Sequence, residues 1–328
     1  MADARVYALH GAPVRAALEA AGFNVAAEAV FPAGEENKTR ATKEWIEDRL
    51  LAAGLGRDSW ICALGGGVTG DLAGYVAATY LRGIPFVQVP TTLLAMVDSS
   101  VGGKTGVDTP HGKNLVGAFW QPRAVISDLD LLVTLPPDQY RAGLAEVVKH
   151  AVIADAALFG RLEAQWGDLE RRDGTTLAAV ITQNCAIKAS VVERDEREGD
   201  LRKILNYGHT LGHALETAAN YSLLPGACVA LGMRYEGELA VRLGLWTRDE
   251  ARRVASLLDR AGFPPVDSVS ASSEKLVELT RQDKKARAGR VEYVFPCKLG
   301  AMQRGEGGYG VRVEDADVLA VLREVRGR

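Results

Sequence analysis

The sequence predicts an α/β N-terminal domain built on a parallel sheet, followed by a mostly α-helical C-terminal domain. Three observations carry that prediction. Short apolar runs alternate with helical patterns through the first half. A glycine-rich turn joins one of those runs to a helix of small residues. From about Pro137 the pattern changes to long helical periodicities. A chain of 328 residues exceeds the size at which one core stops growing, roughly 250–300 residues, so two domains are expected. They are placed at 1–133 and 134–328, with the active site in the cleft between them.

Taken in order, Val25–Phe31 reads as a strand and Thr42–Ala53 as a helix, from the spacing of Trp45, Ile46, Leu50 and Leu51. Ser59–Leu64 is a short buried-strand pattern, followed by glycines and a helix over Asp71–Tyr80. Pro85–Val89 and Ala124–Ile126 read as further buried strands. In the second half, helices are predicted over Asp138–Ala154, Thr175–Glu193, Lys203–Asn220, Cys228–Leu243, Asp249–Ala261 and Ser273–Thr280. A hairpin is predicted from strands near Val291–Phe295 and Tyr309–Val313, with Gly305–Gly308 as its loop.

A hydrophobic fraction of 47%, a charged fraction of 25% and a net charge of −3 are those of an ordinary globular protein. No basic excess points to nucleic acid, so any positive charge for an anionic ligand must be local. Cys62, Cys185, Cys228 and Cys297 are far apart and form no CxxC pair, which fits reduced thiols in a cytoplasmic protein. No signal peptide is read at Met1–Arg5, and no apolar stretch approaches the roughly 18 residues of a membrane span.

Gly65, Gly67 and Gly70 satisfy G-x-G-x-x-G between a predicted strand and a predicted helix. Missing side chains let backbone N–H groups approach a pyrophosphate, and the helix N-terminus favours its charge. A tight strand–helix turn is the plain alternative, since the usual acidic residue about 20 positions on is absent. Glu35 and Lys38, at the end of the preceding strand, could serve ribose hydroxyls instead. Pro90–Gly106 and Gly112–Asn114 gather Asp98, Lys104, Lys113 and Asn114 among glycines and hydroxyl residues, a composition suited to an anion. Arg82 adds a cation. Glu146, Lys149 and His150 share one helix face. His209 and His213, four apart, can hold one metal or be two hydrogen-bonded histidines. Lys188 interrupts an apolar helix pattern and either snorkels or points into a cleft.

Together these stretches resemble the 3-dehydroquinate synthase family. GGGVTGDLAGYVAATYLRGIPFVQVPTTLLAMVDSSVGGKTGVDTPHGKNLVGAFWQP, AGLAEVVKH, NYGHTLGHALE and DKK stand in that family's order and spacing, from about Val14 to the C-terminal hairpin. The resemblance implies a dehydroquinate synthase-like fold and a phosphate-eliminating cyclisation of 3-deoxy-D-arabino-heptulosonate 7-phosphate, with catalytic NAD and Zn²⁺ or Co²⁺. It implies that Gly65, Gly66, Gly67 and Asp71 hold the NAD pyrophosphate, with Glu35 and Lys38 on the ribose side and Thr91 and Thr92 also touching the cofactor. Asp98, Lys149 and Lys188 match positions that contact the ring hydroxyls. Lys104, Lys113, Asn114, Arg202, Asn206, His213 and Lys285 match positions that hold phosphate and carboxylate. Arg82 matches an arginine offered across a homodimer interface. Glu146 and His209 match two of three metal ligands.

Two departures from the family stand out. Its third ligand is a histidine in a segment written H-G-E-x-V-A, where this chain has Pro225-Gly226-Ala227-Cys228-Val229-Ala230, and no histidine follows His213. Two protein ligands hold zinc less firmly than three, so the metal is expected to be weakly bound, unless a residue was lost or His213 substitutes. The family's extra strand and helix before Val14 are also not expected here, which would leave a sheet edge exposed.

Overall fold

The computed structural model describes residues 1–282 and 291–327, which divide into two compact units, Met1–Pro136 and Pro137–Arg328. The first unit runs β1 Ala2–Asp3, α1 Ala4–Val6, α2 Ala12–Ala20, β2 Val30–Phe31, α3 Arg40–Ala52, β3 Ile61–Gly65, α4 Gly67–Thr79, β4 Phe86–Pro90, β5 Lys104–Thr109, β6 Gly112–Phe119 and β7 Ala124–Val125. β3, β4 and β7 pair in parallel in that order, and β1 pairs in parallel with β2. Met1 links the two sheets, its amino group donating to the Cys62 carbonyl (2.9 Å) and its own carbonyl accepting from the Leu64 N–H (2.9 Å). Parallel strands need a crossover, and α4 supplies it between β3 and β4. Its small residues let it lie close to the sheet and to the following hairpin: a Cβ on Gly74 would stand 3.0 Å from Phe86 Cζ on β4 and 2.3 Å from Thr105 Cγ2 on β5. Phe31, Ile46, Leu72, Val76, Phe86 and Val107 fill the core beneath it.

The second unit contains α5 Pro137–Ala154, α6 Ala156–Glu170, α7 Gly174–Arg194, α8 His209–Ala218, α9 Pro225–Arg242, α10 Arg248–Arg260, α11 Ser273–Gln282 and α12 Asp315–Arg326. Two short antiparallel pairs accompany them, β8 Glu292–Tyr293 with β11 Val311–Arg312 and β9 Pro296–Lys298 with β10 Ala301–Met302. α5 is buried on nearly every side from Tyr140 to Ile153. Such a helix must satisfy or pair any charge it carries.

Several sequence expectations are corrected. The strand at Val25–Phe31 shrinks to Val30–Phe31, and the first residues, expected to hold no strand, include β1. The lysine-bearing stretch read as loop contains the hairpin β5–β6. Its polar residues hide the strand pattern, while Gly106 and Gly117 let the two backbones meet, since a Cβ on Gly117 would lie 1.9 Å from the Thr105 carbonyl. The single helix expected over Lys203–Asn220 breaks. A 3₁₀ turn covers Leu201–Asn206, Gly208 adopts φ +79°, and α8 starts afresh at His209. Only glycine fits there, because a Cβ would stand 2.8 Å from the Val229 carbonyl. The predicted C-terminal hairpin is interrupted by a second one, β9–β10, and α6 and α12 were not anticipated.

Candidate active site

In the first unit β3 ends at Gly65 and α4 begins two residues later. The turn has no room for side chains. A Cβ on Gly65 would lie 2.4 Å from Thr69 Oγ1, one on Gly66 3.0 Å from Thr92 Cγ2, and one on Gly67 3.2 Å from Ser99 Oγ. No side chain caps α4, so its first N–H groups face outward as anion donors. That geometry fits a pyrophosphate.

Beside the turn Lys38 is 3% exposed, and its Nζ donates to Asp71 Oδ2 and Asn114 Oδ1, both at 2.6 Å, with Glu35 Oε1 at 3.8 Å. Burial pulls the ammonium pKa down, but Asp71 and Glu35 outweigh it and the net direction is up. Burial raises the Glu35 carboxyl, opposed by Lys38 and Lys113. The structure thus gathers Glu35, Lys38, Asp71 and Asn114 into one cluster. Asn114, expected with the anion holders, is bonded to Lys38. Asp108, which sequence reasoning missed, ties the cluster together: its N–H donates to the Lys38 carbonyl (2.7 Å) and its Oδ1 accepts from the Asn114 N–H (2.8 Å). No local motif marks that role, because it depends on the hairpin.

Thr91 is buried, and its N–H donates to the Gly65 carbonyl at 3.0 Å, while Thr92 Oγ1 accepts from the Ala95 N–H at 3.1 Å. Asp98 sits in a π-helical turn, Ala95–Ser99, a rare conformation frequent at functional sites. Lys104 is exposed at the start of β5, and Lys113 is half-buried at the start of β6. Leu81 and Arg82 hold φ of +49° and +68°, uncommon for side-chain-bearing residues. The exposed Arg82 is thereby turned out at a bend that Trp120 clamps by donating to the Ile84 carbonyl (3.0 Å).

In the second unit α5 presents Glu146, Lys149 and His150, which are 4%, 1% and 0% exposed. Lys149 Nζ pairs with Glu146 Oε2, and His209 Nε2 stands 3.7 Å from Glu146 Oε1. The carboxylate therefore faces one lysine and one imidazole. His209 and His213 lie ring to ring at 5.6 Å, nearly perpendicular. Glu236 fixes the start of α8: fully buried, it accepts from the Gly208 N–H (2.7 Å) and the Leu211 N–H (3.0 Å). Lys188 is buried on α7, and Arg202 is buried on the 3₁₀ turn, donating to the Glu196 carbonyl. Asn206 Nδ2 donates to Glu198 Oε1 at 2.7 Å, so Glu198, also missed in the sequence, holds a predicted site residue. Asp195 anchors this loop by accepting from the N–H groups of Gly199 (2.8 Å), Asp200 (2.9 Å) and Arg202 (2.9 Å). Lys285 lies outside the described residues. Pro225 is exposed at the first turn of α9, and Gly226 abuts the Ala142 carbonyl, where a Cβ would stand at 2.1 Å.

Residues 28–142 match the family described as 3-dehydroquinate synthase N-terminal, and residues 143–286 match 3-dehydroquinate synthase C-terminal. The chain belongs to the 3-dehydroquinate synthase family. It is 51% identical over 309 residues to a 3-dehydroquinate synthase of Geobacter metallireducens, covering 94% of this chain and 83% of that protein. A Picosynechococcus relative of the same name is 48% identical over 303 residues, covering 92% and 83%. Among solved structures, the 2-epi-5-epi-valiolone synthase of Streptomyces hygroscopicus with NAD⁺ and Zn²⁺ bound has a TM-score of 0.90 at 29% identity, covering 100% of this chain and 90% of that one. A 2-deoxy-scyllo-inosose synthase complexed with carbaglucose-6-phosphate, NAD⁺ and Co²⁺ scores 0.87 at 29% identity, covering 98% and 89%.

Proposed function

We propose that this chain acts as a 3-dehydroquinate synthase, a phosphate-eliminating carbon–oxygen lyase that converts 3-deoxy-D-arabino-heptulosonate 7-phosphate to 3-dehydroquinate and phosphate. The observation that carries the reading is the 51% identity over 94% of the chain to a protein of that name. The cyclases acting on other sugars stand at 29%, so the reading favours the carboxylate-bearing substrate over theirs. NAD, when bound, supplies a reversible hydride acceptor for a ring alcohol, and a divalent ion polarises the ring hydroxyls.

The chain's own residues divide the remaining work. The uncapped start of α4 binds the pyrophosphate through backbone N–H groups, and the Lys38 cluster orients the adjoining ribose. Lys104, Lys113, Arg202, Asn206 and His213 hold the two anions of the substrate, fixing the ring. Asp98, Lys149 and Lys188 hydrogen-bond the ring hydroxyls and stabilise the oxygen as it loses its proton. Glu146 and His209 supply metal donors. Each group oxidised is later reduced, so no net redox change accumulates. The active species is a homodimer in which Arg82 serves the neighbouring subunit, and the setting is the cytoplasm. Among the described residues, no helix is long and apolar enough to cross a membrane.

The test is direct. Purified protein is given the substrate, NAD and Zn²⁺ or Co²⁺. Release of inorganic phosphate with formation of 3-dehydroquinate and no build-up of NADH is expected. Phosphate release that persists when the substrate's carboxylate is removed, at equal efficiency, would reassign the chain to another sugar phosphate.

A further inference from the structure

The familiar third metal donor is a proline here, yet the second unit holds an imidazole prepared for that task. We propose that His150 completes a three-donor metal site with Glu146 and His209. The assignment rests on the metal-dependent reading above and concerns which residues hold the ion.

Asn184 is fully buried on α7. Its Nδ2 donates to the Val180 carbonyl at 2.7 Å, one helical turn back. A carbonyl can only accept, so this bond fixes which end of the amide carries nitrogen. Oδ1 is thereby turned towards His150 Nδ1, 3.0 Å away. An amide oxygen can only accept, so Nδ1 must carry the proton. In the neutral imidazole the lone pair then resides on Nε2, which is wholly buried. Metal-binding histidines are commonly prepared in this way, with the ring N–H held by an oxygen behind it and the other nitrogen left basic.

Position agrees with preparation. His150 follows Glu146 by four residues on α5, so the two side chains share a face. A donor nitrogen of His150 and a carboxylate oxygen of Glu146 lie within 4.8 Å of each other. His209 Nε2 approaches the same carboxylate at 3.7 Å. Zinc bonds of about 2.0–2.2 Å separate tetrahedral donors by about 3.4 Å, so each imidazole stands near metal-sharing distance of the Glu146 carboxylate. Three protein donors and one open position are the pattern of a catalytic metal site. His213 is the rival. It is half-exposed and sits beyond His209 on α8, perpendicular to it at 5.6 Å. It also stands among the residues assigned to the substrate's anions. Position 225 offers no donor, and its neighbour Gly226 is pressed onto a carbonyl.

The experiment measures metal, not turnover. Zn²⁺ affinity is determined by competition with a chelator, and the visible spectrum of the Co²⁺ form reports the donor set. His150→Gln is expected to weaken Zn²⁺ at least tenfold and to alter the Co²⁺ spectrum. Asn184→Ala should weaken it in the same direction, by about 10-fold to 100-fold at most, as removal of a supporting partner does. His213→Gln should leave affinity within about twofold. Wild-type affinity and spectrum in His150→Gln, or loss of metal in His213→Gln, would overturn the assignment. Should His150→Gln not fold, X-ray absorption of the Zn²⁺-loaded His213→Gln protein decides: two imidazoles support the site, one overturns it. Metal held through His150 without phosphate release from the proposed substrate would instead sink the functional reading and leave the site standing.

Discussion

Glu236 should prove to be among the most costly side chains in the second unit to remove, although it is not proposed to touch the substrate. α8 begins without a side-chain cap of its own, because residue 208 is a glycine with φ +79°. The first N–H groups of the helix are enclosed by α9, so water cannot serve them. Glu236, fully buried on α9, accepts from two of them at 2.7 and 3.0 Å. Its carboxylate also sits where the positive end of the helix dipole favours a negative charge. Glu236→Ala leaves two buried donors unmet, each costing about 1–3 kcal/mol, and opens a void besides. A loss of about 3–5 kcal/mol is expected from urea unfolding followed by circular dichroism. Glu236→Gln keeps the shape and one acceptor but turns an amide N–H₂ towards a donor, so about half that loss is expected. Since His209 is the first residue of α8, both variants should also bind Zn²⁺ less tightly. A loss under about 1 kcal/mol in Glu236→Ala would show that the N–H groups find other partners and that the cap does not set the helix start.

Three further outcomes follow from the same geometry. Lys38→Met should weaken NAD binding about tenfold or more, measured by calorimetry, because Asp71 and Asn114 lose the buried ammonium that donates to both; unchanged affinity would dissociate the cluster from the cofactor. Burial pushes the Asp195 carboxyl up, but its backbone donors from Arg202, Gly199 and Asp200 outweigh that and hold it below the usual carboxylate range. A depressed folded-state value means its stabilisation is complete above about pH 4 and is lost as pH falls through the folded value, so Asp195→Asn should differ from wild type near pH 7 and converge with it in acid; a gap that persists in acid would refute the cause. Finally, Arg82→Ala and Lys104→Ala should each be inactive alone yet regain partial turnover when mixed, since a mixed homodimer would hold one intact site; a monomeric mass with full activity would exclude the shared arginine.

The contrast between what the sequence disclosed and what it hid has a physical pattern. β3, α4 and β4 were legible because short, mostly buried parallel strands read as compact apolar runs, and a glycine turn has few other uses. The long helices of the second unit were legible for the same reason, periodicity over many residues. The β5–β6 hairpin was not, because its strands carry lysines, threonines and an asparagine among glycines, and these obscure the alternation that marks a strand. The break before His209 was hidden as well, since Lys203–Asn220 keeps helical spacing across a glycine whose left-handed backbone is imposed by the close approach of α9. Of the residues proposed for the site or found supporting them, those in the family's motifs could be named in advance, but Asp108, Glu198, Asn184 and Glu236 could not. Each acts by holding another residue through a contact between elements distant in sequence or conformations set by the fold, and no local pattern records such a bond. His150 shows the same limit. As a letter it was one of three polar residues on a helix face. Its tautomer, and with it the nitrogen that carries the lone pair, is decided by an amide on α7 that is itself oriented by a carbonyl one turn away. The chemistry proposed for the site is therefore read partly from motifs and partly from the hydrogen bonds behind them, and only the second source supports His150 as the third donor of the proposed metal site.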